Sequence, residues 1–353
     1  MKSKRTLTIA LGVIGATAIL SRGQAPAPRT GPGVQATQDA KEPELLATCK
    51  TPPPARGGGR GRGGQGRGPA AAETLPRDYT VTAIPGVIAA GQKWTEVWTG
   101  TGNNADGPIA TKDGGLLIAQ NDNSDILKLD KNGKTSIAYS GLNTSGAVSM
   151  SSKGVLFANN RGLNENIEEL APERKNFANK YQGDPLDCIG GVLNDLSADS
   201  KGGVYFTMGG AFYADLKGVI TKYGENLNTN GIILSKDEKI LYVTNGQTLA
   251  AFDVQKDGSL TNQREFAKLE GGGTGDGSTI DSAGRVYVSS QPGVQVFSPE
   301  GKYLGLIPTP RPIITVAFSG PGKKTLYAIA NNQREDHIMT IPVIAQGYKG
   351  RAK

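Results

Sequence analysis

Histidine occurs once in this 353-residue chain, at His337, and cysteine only twice, at Cys49 and Cys188. A single imidazole cannot build a histidine dyad and argues against a Ser-His-Asp triad. With only two thiols beside it, a metal site of the nitrogen-and-sulfur kind is also hard to assemble. The two cysteines could form one bridge in an oxidising compartment, although chance placement explains them equally well. No stretch has the periodicity of a long amphipathic helix. The N-terminal apolar run, at roughly fifteen residues, is short for a membrane span.

Charge is lacking too, once it is located. The formal net charge is +7, but up to Asp78 there are 12 Lys and Arg against 5 Asp and Glu, of 39 and 32 in the whole chain. The remainder is therefore neutral, and the basic character belongs to the N-terminal part. Residues 1–25, MKSKRTLTIALGVIGATAIL followed by SRGQA, have the basic-then-apolar pattern of a secretory signal peptide, with small residues Gly23 and Ala25 near the end. An uncleaved anchor is the alternative, and the lack of a cysteine there argues against a lipoprotein. Export to the periplasm or medium is the expectation, with no membrane span in the mature form. Residues 26–77, rich in Pro, Gly and Arg and almost free of aromatics, read as a disordered linker. The Arg-Gly repeats lack the interleaved aromatics of a nucleic-acid groove, so no nucleic-acid partner is expected.

What the chain does have is repetition. ADGPIATKDGGLLIAQ from Ala105, LNDLSADSKGGVYFTM from Leu193, TNGIILSKDEKILYVTN from Thr229 and GDGSTIDSAGRVYVSS from Gly275 share one pattern. Each runs from a small or polar break through a short strand and a charged turn to a second strand. Weaker copies start at Ser145 and Ile314. Turn markers at Asp113, Lys153, Lys201, Asp237, Ala283 and Pro321 lie between about 36 and 48 residues apart, the period of propeller blades. The expected fold is all-β: a six-bladed β-propeller over residues 78–346, followed by a C-terminal tail at 347–353. Radial repetition of this kind buries both faces of each blade.

Asp106, Asn194, Asn230 and Asp276 occupy the same phase in four blades, just ahead of the strand that lines a propeller's channel. Two carboxylates and two amide oxygens converging on one axis would suit a hard divalent cation. Asx turns that launch strands explain each residue locally and are the competing reading. His337 reads as an exposed or edge residue.

These segments resemble the senescence-marker-protein/gluconolactonase family, also called regucalcin-like, over about Asp106 to Pro342. The Asn-Gly of TNGIILSKDEK is similar to the family's Pro-Asn-Gly segment, VLNDLSADSKGG to its Asn-Asp-Leu segment, and TGDGSTIDSAG to its Pro-Asp-Gly segment. The resemblance implies a six-bladed propeller holding one divalent cation (Ca²⁺, Mg²⁺, Mn²⁺ or Zn²⁺) on Asn230, Asn194, Asp276 and Asp106, with Asp276 also acting as base. It also implies hydrolysis of a sugar lactone or similar ester by a water activated at that cation. Asp106 stands where the family usually has glutamate, Val192 where regucalcin-type members have a substrate-contacting arginine, and Met208 where bacterial lactonases usually have Asp-Pro. A non-catalytic metal-binding propeller acting as a binding or scaffold module is the alternative.

Overall fold

The structure is a computed structural model that describes residues 39–51, 53, 76–101, 105–331 and 335–353. The expected signal peptide and most of the expected linker lie outside these residues. Six four-stranded antiparallel sheets make the blades of a β-propeller. Their inner strands are Ala105–Ala110, Ser145–Met150, Leu196–Ala198, Thr229–Leu234, Ser278–Ile280 and Thr315–Ser319, for blades 1 to 6 in chain order. Among the described residues no helix is long and apolar enough to cross a membrane.

The turn after each inner strand falls on the sequence markers, and the reason is local. Asp199 Oδ1 accepts from the backbone N–H groups of Lys201, Gly202 and Gly203, and Asp281 Oδ1 accepts from those of Ala283 and Arg285. Such turns hold the backbone groups that a tight reversal leaves unpaired. Their second oxygens reach into the blade, where Tyr213 and Tyr287 donate to Asp199 and Asp281 at 2.8 Å.

Second strands such as Val204–Thr207 and Val286–Ser290 are buried at every position. Side chains leave a strand alternately to its two faces, and here each face packs on a neighbouring blade. Outer strands meet water and read differently: Thr135–Tyr139 has no fully buried residue. One apolar cluster joins Tyr205 and Tyr213 of blade 3 to Ile232, Leu234 and Leu241 of blade 4. Another joins Leu116 and Ile118 of blade 1 to Ala317, Ile329 and Ile338 of blade 6.

Blade 6 closes the ring. Its outermost strand is Thr95–Thr101, from ahead of blade 1, paired antiparallel with Glu335–Pro342. The first and last parts of the propeller thus share one sheet, which removes two free edges.

Two segments differ from expectation. Within the stretch read as a disordered linker, Glu42–Leu46 form a short helix and Cys49 is bonded to Cys188. No residue of that helix is fully buried, and the covalent link, with Lys50 donating to the Gln182 carbonyl at 3.0 Å, ties the segment to the loop that follows blade 2. The pairing of the two cysteines, which the sequence left open, is made here. The tail beyond residue 346, for its part, packs against the propeller. Tyr348 N–H donates to Ile280 O, Ala352 bridges Met150, and Lys323 donates to the carbonyls of Tyr348 and Arg351. Ile280, Met150 and the Ser235 reached by Arg351 all lie at the far ends of inner strands, so the tail runs beneath the channel.

Candidate functional site at the channel mouth

Register places six residues at one level of the ring. Ala105 pairs with Gln120, Ser145 with Asn160 and Thr229 with Asn245, which makes Asp106, Gly146 and Asn230 equivalent. Asn194 N–H donates to Thr207 O, Asp276 N–H to Ser289 O and Ile314 N–H to Ile329 O, which puts Asn194, Asp276 and Ile314 at the same level. Thr207 and Thr244 Oγ1 accept from the N–H groups of Asp195 and Gly231, the residues after Asn194 and Asn230, and Ser289 Oγ donates to the carbonyl of Gly277, the residue after Asp276. The level therefore reads Asp106, Gly146, Asn194, Asn230, Asp276, Ile314 around the axis.

The next level explains the glycines that follow three of these residues. A Cβ on Gly231 would lie 2.2 Å from Asp276 O, one on Gly277 2.3 Å from Thr315 Oγ1, and one on Gly107 2.4 Å from Ala147 Cα. Neighbouring blades approach this closely at the axis, so the Asx-Gly pairs do more than launch strands. Gly107 is also at φ +46° and donates its N–H to Asp106 Oδ1 at 2.7 Å, a local Asx contact.

Asp106, Asn194 and Asn230 share one hydrogen-bonded network. Asn194 Nδ2 donates to Asn230 Oδ1 at 2.5 Å, while Asn194 Oδ1 accepts from Arg161 at 2.6 Å. Arg161 also reaches Asp106 Oδ2 at 3.4 Å. All four sequence-selected residues are partly exposed. Burial against the surrounding blades raises the Asp276 carboxyl well above the ordinary range, and the negative charges of Asp106 and Asp195 raise it further. Asp106 is raised mainly by burial, with the Arg161 guanidinium pulling the other way. Two carboxylates that repel each other beside two amides form an oxygen-rich pair of charges that a hard divalent cation would neutralise, so the donor set fits such an ion. Among the described residues no group of three or more His, Cys, Asp or Glu side chains is gathered for a metal, and the cup reaches four donors only by counting its asparagines.

Three residues of this site were missed by sequence reasoning. Arg161, with a side chain only 1% exposed, follows the second strand of blade 2 and donates to the carbonyls of Leu193, at 2.9 Å, and Asn194, at 3.0 Å. Asn159, two residues earlier, accepts from the N–H groups of Gly146 and Ala147 at 2.8 Å and donates to the Asn194 carbonyl. Asp195 sits below Asn194, where its carboxylate accepts from Ile232 N–H at 3.0 Å and so ties blade 3 to blade 4. The signal for Arg161 was the glycine at the blade 2 position of the ring, a gap that some other side chain had to fill.

From the opposite end of the channel, the tail delivers Lys353. Its ammonium bonds Asp195 Oδ2 and donates to Ile232 O at 2.9 Å. Arg351 donates to the carbonyls of Leu234 and Ser235. Burial lowers the Lys353 ammonium and brings the Arg351 guanidinium down to about 10.

Other expected residues are placed elsewhere. His337 is buried, not exposed: its Nδ1 lies 2.7 Å from Glu96 Oε2 on the outermost strand of blade 6, because the closing strand covers it. Met208 packs in the core with Leu186, Leu193 and Phe206, and Val192 is half-buried beside the cup.

A family model described as the SMP-30/gluconolactonase/LRE-like region matches residues 104–331. Lactonase drp35 of Staphylococcus aureus is 30% identical over 214 residues, covering 55% of this chain and 59% of the relative. A gluconolactonase of Zymomonas mobilis is 25% identical over 198 residues, covering 47% of this chain and 54% of the relative. The chain thus matches less than two thirds of the length of these relatives. Among solved structures, a gluconolactonase of Xanthomonas campestris superposes with a TM-score of 0.65 at 19% identity, over 76% of this chain and 96% of that one. A calcium-binding regucalcin of Agrobacterium tumefaciens gives 0.57 at 15% identity, over 69% and 93%. At these identities the two structures speak to the fold. The family match takes in blades 1 to 5, the two inner strands of blade 6 and all four in-phase residues, and the chain belongs to the SMP-30/gluconolactonase/LRE-like family.

Proposed function

We propose that this protein hydrolyses a lactone of a sugar acid or a similar small ester at the channel mouth, with one divalent cation held by Asp106, Asn194, Asn230 and Asp276. The observation that carries the reading is the register that sets oxygen donors from four separate blades at one level, with Asp106, Asn194 and Asn230 in one hydrogen-bonded network and Asp276 near enough to feel the Asp106 charge. The names of the relatives, lactonase and gluconolactonase, support the reaction class. A bound divalent cation supplies Lewis-acid polarisation of the scissile carbonyl and acidifies water beside it.

The chain's own residues do the rest. Asp106 and Asp276 contribute the negative charge, and Asn194 and Asn230 contribute neutral oxygens. Asp276 accepts a proton from the attacking water. The water oxygen bonds the carbonyl carbon, the ring C–O bond breaks, and the departing alkoxide takes up the proton that Asp276 accepted, which gives the hydroxy acid and restores the carboxylate. No covalent enzyme intermediate is required. The half-buried Val192 and the core-packed Met208 leave the cup without two groups that the family pattern offers to substrate, which supports a second reading as a non-catalytic ion-carrying module.

One experiment separates these. The full chain is stripped with chelator and tested on a panel of aldonolactones with Ca²⁺, Mg²⁺, Mn²⁺ or Zn²⁺ restored one at a time. Ion-dependent ring opening that Asp276→Ala abolishes and Asp106→Glu largely keeps is the expected result. Turnover that survives stripping or Asp276→Ala refutes the mechanism, and ion binding without turnover selects the binding module. Export is part of the proposal, supported by the N-terminal pattern of residues 1–25 and by the Cys49–Cys188 bond.

A further inference from the structure

We infer that Arg161 is a built-in cation of the cup, competing with a divalent ion for the oxygens of Asp106 and Asn194. The inference rests on the proposed ion site and concerns a residue that the sequence pattern did not select.

The geometry begins with Gly146. Blade 2 brings no side chain to the ring level where four other blades bring a carboxylate or an amide. A Cβ placed on Gly146 would lie 1.7 Å from Arg161 Cζ and 1.9 Å from its Nε, so the guanidinium fills the volume that the glycine vacates. Two backbone carbonyls hold its stem side, Leu193 O at 2.9 Å from Nε and Asn194 O at 3.0 Å from a terminal nitrogen. That same nitrogen faces Asn194 Oδ1 at 2.6 Å and Asp106 Oδ2 at 3.4 Å. The guanidinium is thus aimed at two of the four oxygen-bearing groups that a cation would use.

The competition follows from what an acceptor can do. With Oδ1 of Asn194 turned to Arg161, its Nδ2 points at Asn230 Oδ1, 2.5 Å away. The Asn194 oxygen has two lone pairs, but a guanidinium and a metal ion held on it together are two positive charges a few ångströms apart, so each weakens the other's hold. For both asparagine oxygens to face one ion, the Arg161 and Asn194–Asn230 contacts must give way together. Two cations on one pair of carboxylates in a site walled by protein also repel more strongly than in water. The apparent affinity for the ion is lowered by the fraction of molecules in which the guanidinium holds the cup.

The test is calorimetric titration of Ca²⁺ and Mn²⁺ into the chelator-stripped full chain, comparing wild type with Arg161→Met and Gly146→Ala. Arg161→Met removes the charge. Gly146→Ala keeps the arginine but displaces its flexible end, the atoms that the new methyl would meet first. Both variants are expected to bind the ion more tightly, by about tenfold or more. Arg161→Lys, which keeps the charge without the planar fork, should gain less. Thermal unfolding without ion identifies any variant that has failed to fold, and the other then carries the comparison. Folded variants that bind the ion as weakly as wild type, or more weakly, overturn the inference while the ion site stands. If neither wild type nor variants take up any ion, the site proposal falls along with it.

Discussion

Replacing Lys353 with methionine tests whether the tail seated beneath the channel contributes to stability. The side chain is 2% exposed and its ammonium is bonded to an Asp195 carboxylate that is itself 9% exposed. Removing one member of a buried pair leaves the other charged and poorly solvated, at a cost of about 3–5 kcal/mol where nothing compensates. Here Asp195 keeps the N–H donors of Ile232 at 3.0 Å and Leu196 at 2.9 Å. The expected loss is therefore smaller, about 1–3 kcal/mol, of the order of one buried unsatisfied group. For a domain of this size that lowers the unfolding midpoint by roughly 2–8 °C. The assay is urea unfolding of Lys353→Met, Asp195→Asn and the double variant. The double variant should recover at least about 0.5 kcal/mol relative to the sum of the singles, since the two side chains touch. Additive losses, or a Lys353→Met midpoint equal to wild type, would mean that the ammonium is not seated on Asp195 and that the tail does not close the lower channel.

Two further outcomes are expected. Burial first, then the charges of Asp122 and Asp106, push the Asp336 carboxyl up to about 8 against the N–H of Ala105. The folded state therefore holds a proton that the unfolded chain has released, and from about pH 4 to pH 8 ionisation of Asp336 costs stability as pH rises, at up to about 1.4 kcal/mol per unit. Asp336→Asn should unfold later than wild type at pH 8 and lose that advantage near pH 4; a pH-independent difference would contradict the assignment. Reducing the Cys49–Cys188 bond should expose residues 39–51 to protease while the propeller's unfolding midpoint shifts by no more than a few degrees, because no residue of the Glu42–Leu46 helix belongs to the buried core. A large drop in the midpoint would place that segment within the propeller's cooperative unit.

The ring of donors was legible because a propeller repeats a local grammar. Each Asp or Asn followed by glycine, each Asp or Lys turn and each short β-branched strand lies within about twenty residues of sequence, the range over which backbone sterics and turn chemistry act. Asp106, Asn194, Asn230 and Asp276 could be aligned without knowing where any of them pointed. Glycine follows three of them, which a local turn would explain, but Gly231 and Gly277 answer to the backbone or side chains of the next blade, a contact between repeats. His337 read as an edge residue because nothing local says that Thr95–Thr101 will cover it.

The sequence by itself determined the blade count, the strand and turn positions and the phase of four oxygen donors, since each depends on residues close together along the chain. Tertiary structure alone decided the rest: closure of the last sheet by a strand from ahead of the first, the Cys49–Cys188 bond across 139 residues, the passage of Lys353 to Asp195, and the entry of Arg161 into the space beside Gly146. These contacts join parts of the chain, or neighbouring blades, whose residues carry no local mark of one another. They exist because bending the blades around one axis brings those parts within reach.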